Sequence, residues 1–374
     1  MNSVAEIQIS KAAVLHNLQA LKGLCPATSK FAAVLKGNAY GHGLTEVYKC
    51  CRDQVDAIQL DDLDELLALR HLEKELGISP KRSLVLGYVP RAGLQDLVAA
   101  AGEIALYDGQ RAVLLQDICS RINTTVRVHL KIDALLGRQG VLPDRFAELF
   151  DLVSKLPNLE IAGIYTHFAN IEDSPDSAHA LAQITAFQGA VSGYEGPTHI
   201  AATSGIMVEE GRAGNHSLVR VGIGVYGIYP SFALSRTQSH LALQPVLKWV
   251  SQLAMVKDLP AGHPVGYGLT YVTRKPTRIG IVPQGYADGF DRGLSNTGQV
   301  LIKGKRCPVI GRVAMNMFAV DLEAVPNSLP EDEVVLLGSQ GDDRITAEEV
   351  ASLIGTIPYE VVTRISPLLQ RRIV

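Results

Sequence analysis

Between residues 31 and 224 the chain alternates two hydrophobic patterns. Short apolar or β-branched runs recur as FAAVLK from Phe31, DAIQL from Asp56, SLVLGY from Ser83, EIALYD from Glu103, TVRVHLKID from Thr125, IAGIYTH from Ile161, THIAA from Thr198 and SLVRVGIG from Ser217. Near-continuous rather than alternating hydrophobicity predicts strands buried on both faces, the mark of a parallel sheet. Most intervening stretches show helical spacing. DDLDELLALRHLEKELG groups Leu63, Leu66, Leu67 and Leu69 and stops at Gly77, and DRFAELFDLVSKLPN and HALAQITAFQGAV repeat the pattern. Eight strand–helix units predict an α/β fold closed into a (β/α)8 TIM-like barrel, with an open doubly wound sheet as the competing topology. The barrel is preferred because eight is its closing number.

Beyond Ser231 the helical periodicity disappears. LKWVSQLAMVKDLP, TRIGIVPQGYADG, GQVLIKGKRCPVIGRVAMNMFAVDL and DEVVLLGSQ predict short strands separated by Gly, Pro and Asp turns. Only TAEEVASLIG, with a threonine N-cap and a glycine stop, reads as a helix there. The predicted organisation is an N-terminal barrel domain over residues 1–235 and a β-rich C-terminal domain over residues 236–374. The first ~10 residues are expected to pack with the C-terminal domain.

Length and charge narrow the function. A chain of 374 residues exceeds one ordinary core, and 47% hydrophobic with 20% charged residues excludes a large disordered region. A net charge of −3 without a Lys/Arg run argues against a nucleic-acid partner. MNSVAEIQIS has no basic n-region or apolar h-region, and no run of about 18 apolar residues occurs, so a soluble cytoplasmic protein without a membrane partner is expected. The five cysteines form no C-x-x-C motif and the ten histidines no metal-ligand spacing, so no metal is assigned.

FAAVLKGNAYGHGL carries an apolar run straight onto Lys36 and then into a glycine-rich loop. A strand-end lysine often only snorkels to water. It is also where amine chemistry would sit, because barrel active sites lie at the C-terminal ends of the strands. On the same rim fall Arg138 past strand five, His167 at the end of strand six, Thr203 and Ser204 after strand seven, and Arg220 and Gly222 in strand eight. Phosphate is commonly held by the loops after strands seven and eight. GIGVYG, Gly222 to Gly227, satisfies G-x-G-x-x-G, but no helical period follows it, so a dinucleotide fingerprint is not inferred.

AAVLKGNAYGHG resembles the pyridoxal-phosphate lysine motif of the alanine racemases, a fold-type III family. HLKIDALLGRQG, YTHF, AATSG, VRVGIGVYGIYPS, GYGLTYV, GYADGFDR, GRVAMN and IPYEVVTRIS resemble that family's further signatures, in order along both domains. The resemblance implies an eight-stranded barrel with a β-rich C-terminal domain, pyridoxal 5′-phosphate as cofactor, and a head-to-tail homodimer with shared active sites. It implies racemisation of alanine by two bases, with D-alanine supplied to peptidoglycan. Lys36 is the implied cofactor lysine and one base, and Tyr267, reaching in from the partner subunit, is the other. Tyr40, Ser204, Gly222, Ile223 and Tyr359 are the implied phosphate ligands. Arg220 is implied to face the pyridine nitrogen with His167 orienting it, Arg138 and the Met315 N–H to bind the substrate carboxylate, and Lys131 to be carried as a carbamate.

Two departures fall at the carboxylate end. DALLGR stands where the family has Asp-Thr-Gly-Met-Gly-Arg, placing Leu135 for a glycine and Leu136 for the methionine, and Asn316 stands for an aspartate. A broader amino-acid (serine) racemase, a fold-type III amino-acid decarboxylase and a non-catalytic pyridoxal-phosphate carrier are the alternative readings.

Overall fold

The computed structural model describes residues 4–172, 177–208 and 217–374. The chain divides into two compact units, residues 14–37 with 48–243 and residues 1–13 with 38–47 and 244–374.

The first unit is built on eight parallel strands, numbered here along the chain: Lys30–Val34, Ala57–Leu60, Ser83–Val85, Glu103–Leu106, Val126–Lys131, Leu159–Tyr165, Thr198–His199 and Leu218–Val221. Each pairs with its predecessor from strand two to strand seven, and strand eight pairs with strand one. The remaining seam is bridged: Ser217 N–H donates to Thr198 O at 3.0 Å and Arg220 N–H to Ala201 O at 3.1 Å. A parallel bridge also joins Ala202 to Arg220. The result is a nearly closed barrel rather than the open sheet. The eight apolar runs form its strands because a staved wall covered by helices has no wet face.

Helix Leu63–Glu75 shows how the outer layer is specified. The Asp62 side chain accepts the Glu65 N–H at its start, and Leu66, Leu69 and Leu72 are buried. Each such leucine contributes roughly 1.5–3 kcal/mol. Leu67, expected on the same face, is instead 41% exposed. At about 100° per residue it falls beside the buried stripe rather than on it.

The second unit is a mainly antiparallel sheet. Its strands lie in the order Met255–Leu259, Thr277–Val282, Phe318–Asp321, Lys305–Ile310, Gln299–Ile302, Glu333–Gln340, Leu247–Gln252, Ala5–Ile9 and Gln370–Ile373. Ala5–Ile9 runs antiparallel to Leu247–Gln252 and parallel to Gln370–Ile373. Phe290 stacks on Phe318 at 4.2 Å and meets the buried Trp249 edge-on. Helix Ala347–Ile354 has its predicted Thr346 cap, and Gly355 stops it at φ +72°. A second helix, Pro358–Thr363, was not expected. Six residues are too few to display a period, although the proline at its first position is a start signal. Among the described residues, no helix is long and apolar enough to cross a membrane.

Candidate active site

Strand one ends at Val34, so Lys36 stands two residues beyond the strand rather than at its last position. The backbone there turns left-handed: Gly37, Asn38, Ala39, Tyr40 and Gly41 have φ of +62°, +53°, +53°, +52° and +78°. Left-handed conformation costs roughly 1–2 kcal/mol per non-glycine residue, so such a turn needs further hydrogen bonds to hold it. Asn38 holds it, its side chain accepting the Leu44 N–H at 2.9 Å and its carbonyl the Gly43 N–H at 2.9 Å. The side chain of Lys36 is 41% exposed, with Nζ 3.8 Å from a carboxylate oxygen of Asp61, the residue following strand two. An amine so placed is reachable by a carbonyl compound, and an apolar-buried one would not be.

Arg220 lies inside the barrel, 4% exposed. Its Nη1 donates to His199 Nδ1 at 2.7 Å, and Nη2 donates to the carbonyls of Thr166 and Ile200, each at 2.9 Å. The expected partner His167 is at 3.3 Å from Nη2. His199 is thus the closer orienting group, and sequence reasoning assigned it nothing although it lies in THIAA. Burial pulls the guanidinium pKa down to about 10. Burial and the charge of Arg220 push His167 down to about 3, leaving its imidazole neutral and able to accept.

Arg138 is carried by a loop whose shape Asp133 dictates. The Asp133 carboxylate accepts the N–H groups of Leu136, Gly137 and Arg138 at 2.9, 3.0 and 2.7 Å. Gln183, fully buried, donates to Ala134 O at 2.6 Å and to His167 O at 3.2 Å, tying the loops after strands five and six together. Leu135, where the family has glycine, adopts φ +61° and is 52% exposed. Lys131 is buried, donates to Gln139 Oε1 at 2.9 Å, and has its pKa lowered to about 8 by burial and by Arg138 and Arg220.

Ser204 sits in the short helix Thr203–Met207. The hydroxyl oxygen of Thr203 accepts the Gly222 N–H at 3.1 Å, joining the loops after strands seven and eight. Ile223 opens a 3-10 turn, Ile223–Tyr226, so the motif GIGVYG does not open an α-helix. Ser204, Gly222 and Ile223 are therefore brought to one place.

In the other unit Tyr40 and Tyr359 are neighbours, ring centroids 6.0 Å apart. Tyr267 opens the turn Tyr267–Leu269, which passes beside Arg312, and is 74% exposed. Met315, 55% exposed, accepts the Ala287 N–H at 3.0 Å through its carbonyl.

The barrel rim is an unbalanced cluster of charge. Arg138, Arg220 and Lys36 bear on Lys131, and all four cations bear on His167. The carboxylates at hand among the described residues are Asp61, paired with Lys36, and Asp133, occupied by backbone N–H groups. Like charges gathered this way are costly alone and suit an anionic ligand. A ligand carrying a phosphate, a phenolic oxygen and an aldehyde fits this donor set, the Thr203–Gly222 loops and the accessible Lys36 amine.

The family descriptions "Alanine racemase, N-terminal domain" and "Alanine racemase, C-terminal domain" match residues 9–230 and 246–373. A protein of Carboxydothermus hydrogenoformans named alanine racemase is 39% identical over 368 residues, covering 97% of this chain and 96% of its own. One of Methylacidiphilum infernorum is 34% identical over 367 residues, covering 98% and 91%. The solved alanine racemase of Clostridium difficile 630 superposes with a TM-score of 0.92 at 30% identity, over 100% of this chain and 96% of that one. With both of its domains matched in order, the chain belongs to the alanine racemase family.

Proposed function

We propose that this chain interconverts L-alanine and D-alanine with pyridoxal 5′-phosphate, using Lys36 and Tyr267 as two bases, and so supplies D-alanine for peptidoglycan. The observation that carries the reading is the cation cluster of Lys36, Lys131, Arg138 and Arg220 around a neutral His167, built from the family's motif positions. When bound, the cofactor supplies an electron sink that acidifies the substrate Cα–H.

The protein's residues do the rest. Lys36 holds the cofactor and, when released from it, takes the Cα proton of D-alanine at Nζ. Tyr267 takes that of L-alanine at its phenolic oxygen, and each returns a proton to the face it serves. Ser204, Gly222, Ile223, Tyr40 and Tyr359 hold the phosphate. Arg220 presents a fixed cation to the pyridine nitrogen and keeps it unprotonated, which discourages amino transfer. Arg138 and the Met315 N–H orient the substrate carboxylate. Lys131, with its pKa drawn down to about 8, has free amine near neutral pH. Its Nζ can add to carbon dioxide and release a proton to solvent, giving a carbamate anion that steadies Arg138.

The working form is a cytoplasmic homodimer with shared sites. Its support is the family likeness together with the exposed Tyr267, Leu269, Met315 and Met317 of the β-rich unit, an apolar set that suits coverage by a second copy. The test is incubation of the cofactor-loaded protein with L-alanine and L-serine followed by chiral chromatography, and borohydride reduction followed by peptide mapping. D-alanine accumulating towards the L-alanine level, with the reduced adduct on Lys36, is expected. Loaded protein that forms no D-alanine, or an adduct on another lysine, overturns the reading.

A further inference from the structure

A buried hydrogen-bond chain leads away from Arg220 through the barrel wall. Beyond the contact of Arg220 Nη1 with His199 Nδ1 at 2.7 Å, His199 Nε2 lies 2.9 Å from His129 Nδ1, and His129 Nε2 lies 2.8 Å from Glu103 Oε2. All four residues are buried, at 4%, 1%, 1% and 4% exposure from Arg220 to Glu103. They stand on strands eight, seven, five and four, so strand six lies between the two histidines.

Strand six makes room for them. A Cβ at Gly163 would lie 3.0 Å from His129 Nδ1 and 3.3 Å from Pro197 O. The pairing register of strands five and six also shifts at Val128/His129. Tyr165, two residues on, stacks on His199 at 4.7 Å and meets His129 edge-on.

The proton positions follow from one constraint. A guanidinium has donors only, so His199 Nδ1 must accept from Arg220. A neutral His199 then carries its proton on Nε2 and donates to His129 Nδ1. His129 in turn carries its proton on Nε2 and donates to Glu103. A doubly protonated His129 would leave His199 with no proton at all, so both rings are neutral. The 3.4 Å approach of Arg82 Nη2 to His129 Nε2 is the weaker contact and yields to the 2.8 Å one. Every donor points the same way, from Arg220 to a carboxylate.

We propose that Glu103 and His129 are positioning residues that act through His199 as the remote counter-ion of Arg220, keeping its guanidinium charged and fixed in orientation. The proposal rests on the reading of Arg220 given above. Among the described residues no carboxylate touches Arg220, and a buried cation without compensation is costly. Glu103 supplies compensation at a distance by polarising two imidazoles in series. Its own charge is secure, because His129 and Arg82 hold its pKa down at about 2 against the cost of burial. Arg82 donates to Glu103 Oε1 at 2.5 Å and Arg127, shared with Glu160, approaches at 3.4 Å, so the other carboxylate oxygen remains for His129.

The experiment uses the full chain with 15N-labelled histidine, unsubstituted and as Glu103→Gln, His129→Leu and Arg127→Gln, the last removing the 3.4 Å partner of Glu103 while leaving Arg82 and the relay. Nitrogen shifts report the tautomer of His199 with and without cofactor. In loaded protein the ratio of amino transfer, read as the 2-oxo acid and aminated cofactor, to racemisation reports the charge state at Arg220. The expected result is an Nε2–H tautomer for both histidines. Glu103→Gln and His129→Leu should raise the amino-transfer ratio about tenfold or more, the size of effect outer hydrogen-bond partners carry, while Arg127→Gln leaves the ratio unchanged. An Nδ1–H tautomer at His199, or equal ratios in all four proteins despite altered thermal stability, overturns the proposal. Absence of racemisation in the unsubstituted loaded protein would sink the functional reading instead, and the nitrogen shifts would still decide the relay.

Discussion

Burial sets the charge of three histidines and with it the acid limit of the fold. His42 is held down at about 4 and His167 at about 3, and His129 is lowered as well, in each case first by desolvation. An unfolded chain binds protons at these rings near pH 6.5 while the native chain refuses them, so stability is full above that value and falls as pH drops towards 4. The shift at His42 alone is worth roughly 3 kcal/mol once the window is crossed. Glu103, lowered to about 2, adds the same sign below the ordinary carboxylate range. Urea midpoints should therefore hold level from pH 7.5 to about 6.5 and decline from there to pH 5. A flat profile would show that these rings are charged in the native state. A second residue carries a sharper test. In Tyr267→Phe, Cα–H exchange with deuterated solvent should survive for D-alanine and fall about 10²- to 10⁴-fold for L-alanine, the usual cost of deleting a general base. Equal losses for both enantiomers, with cofactor bound, would reduce Tyr267 to a structural role.

The left-handed turn after strand one is the element most exposed to a backbone test. Gly37, at φ +62°, has nothing within 4 Å of the position a Cβ would take, whereas a Cβ at Gly41 would lie 1.9 Å from Val362 O. Gly37→Ala should thus cost roughly 1 kcal/mol for its torsion, and Gly41→Ala roughly 3 kcal/mol or more, since the Val362 backbone must move. Denaturant midpoints of the two variants decide it, and equal costs would mean that the turn does not pack as described. The same element marks the limit of sequence reading. All eight barrel strands were legible because each falls in a short apolar or β-branched run between turn or helical stretches, and Lys36, Arg220 and Ser204 because they stand at or just past strand ends. The turn itself was not, since GNAYG announces glycines and not a succession of positive φ. Pro358–Thr363 was too short to show a period. His199, His129, Glu103 and Gln183 escaped for a different reason: each looks like an ordinary strand or helix residue until the barrel brings partners 21, 70, 26 and 49 positions apart into contact.

At the scale of the whole molecule, the two proposed bases come from different units of the chain, Lys36 from the barrel and Tyr267 from the β-rich unit. Tyr267 is 74% exposed, a surface that suits a cover. If that cover is a second copy, inactive Lys36→Ala and Tyr267→Phe proteins should complement each other. Random exchange of equal amounts makes half of the dimers mixed. In a mixed dimer one site pairs the surviving lysine with the surviving tyrosine, and the other holds both lesions. Recovery should then approach about one quarter of the wild-type sites, a ceiling set by the symmetry of the dimer alone. If each site were completed within a single chain, no mixed dimer could hold an intact one. Exchange demonstrated by mass-tagged subunits with no recovered activity would therefore rule out shared sites, whereas recovery near the ceiling would require that each Lys36 work with the partner's Tyr267.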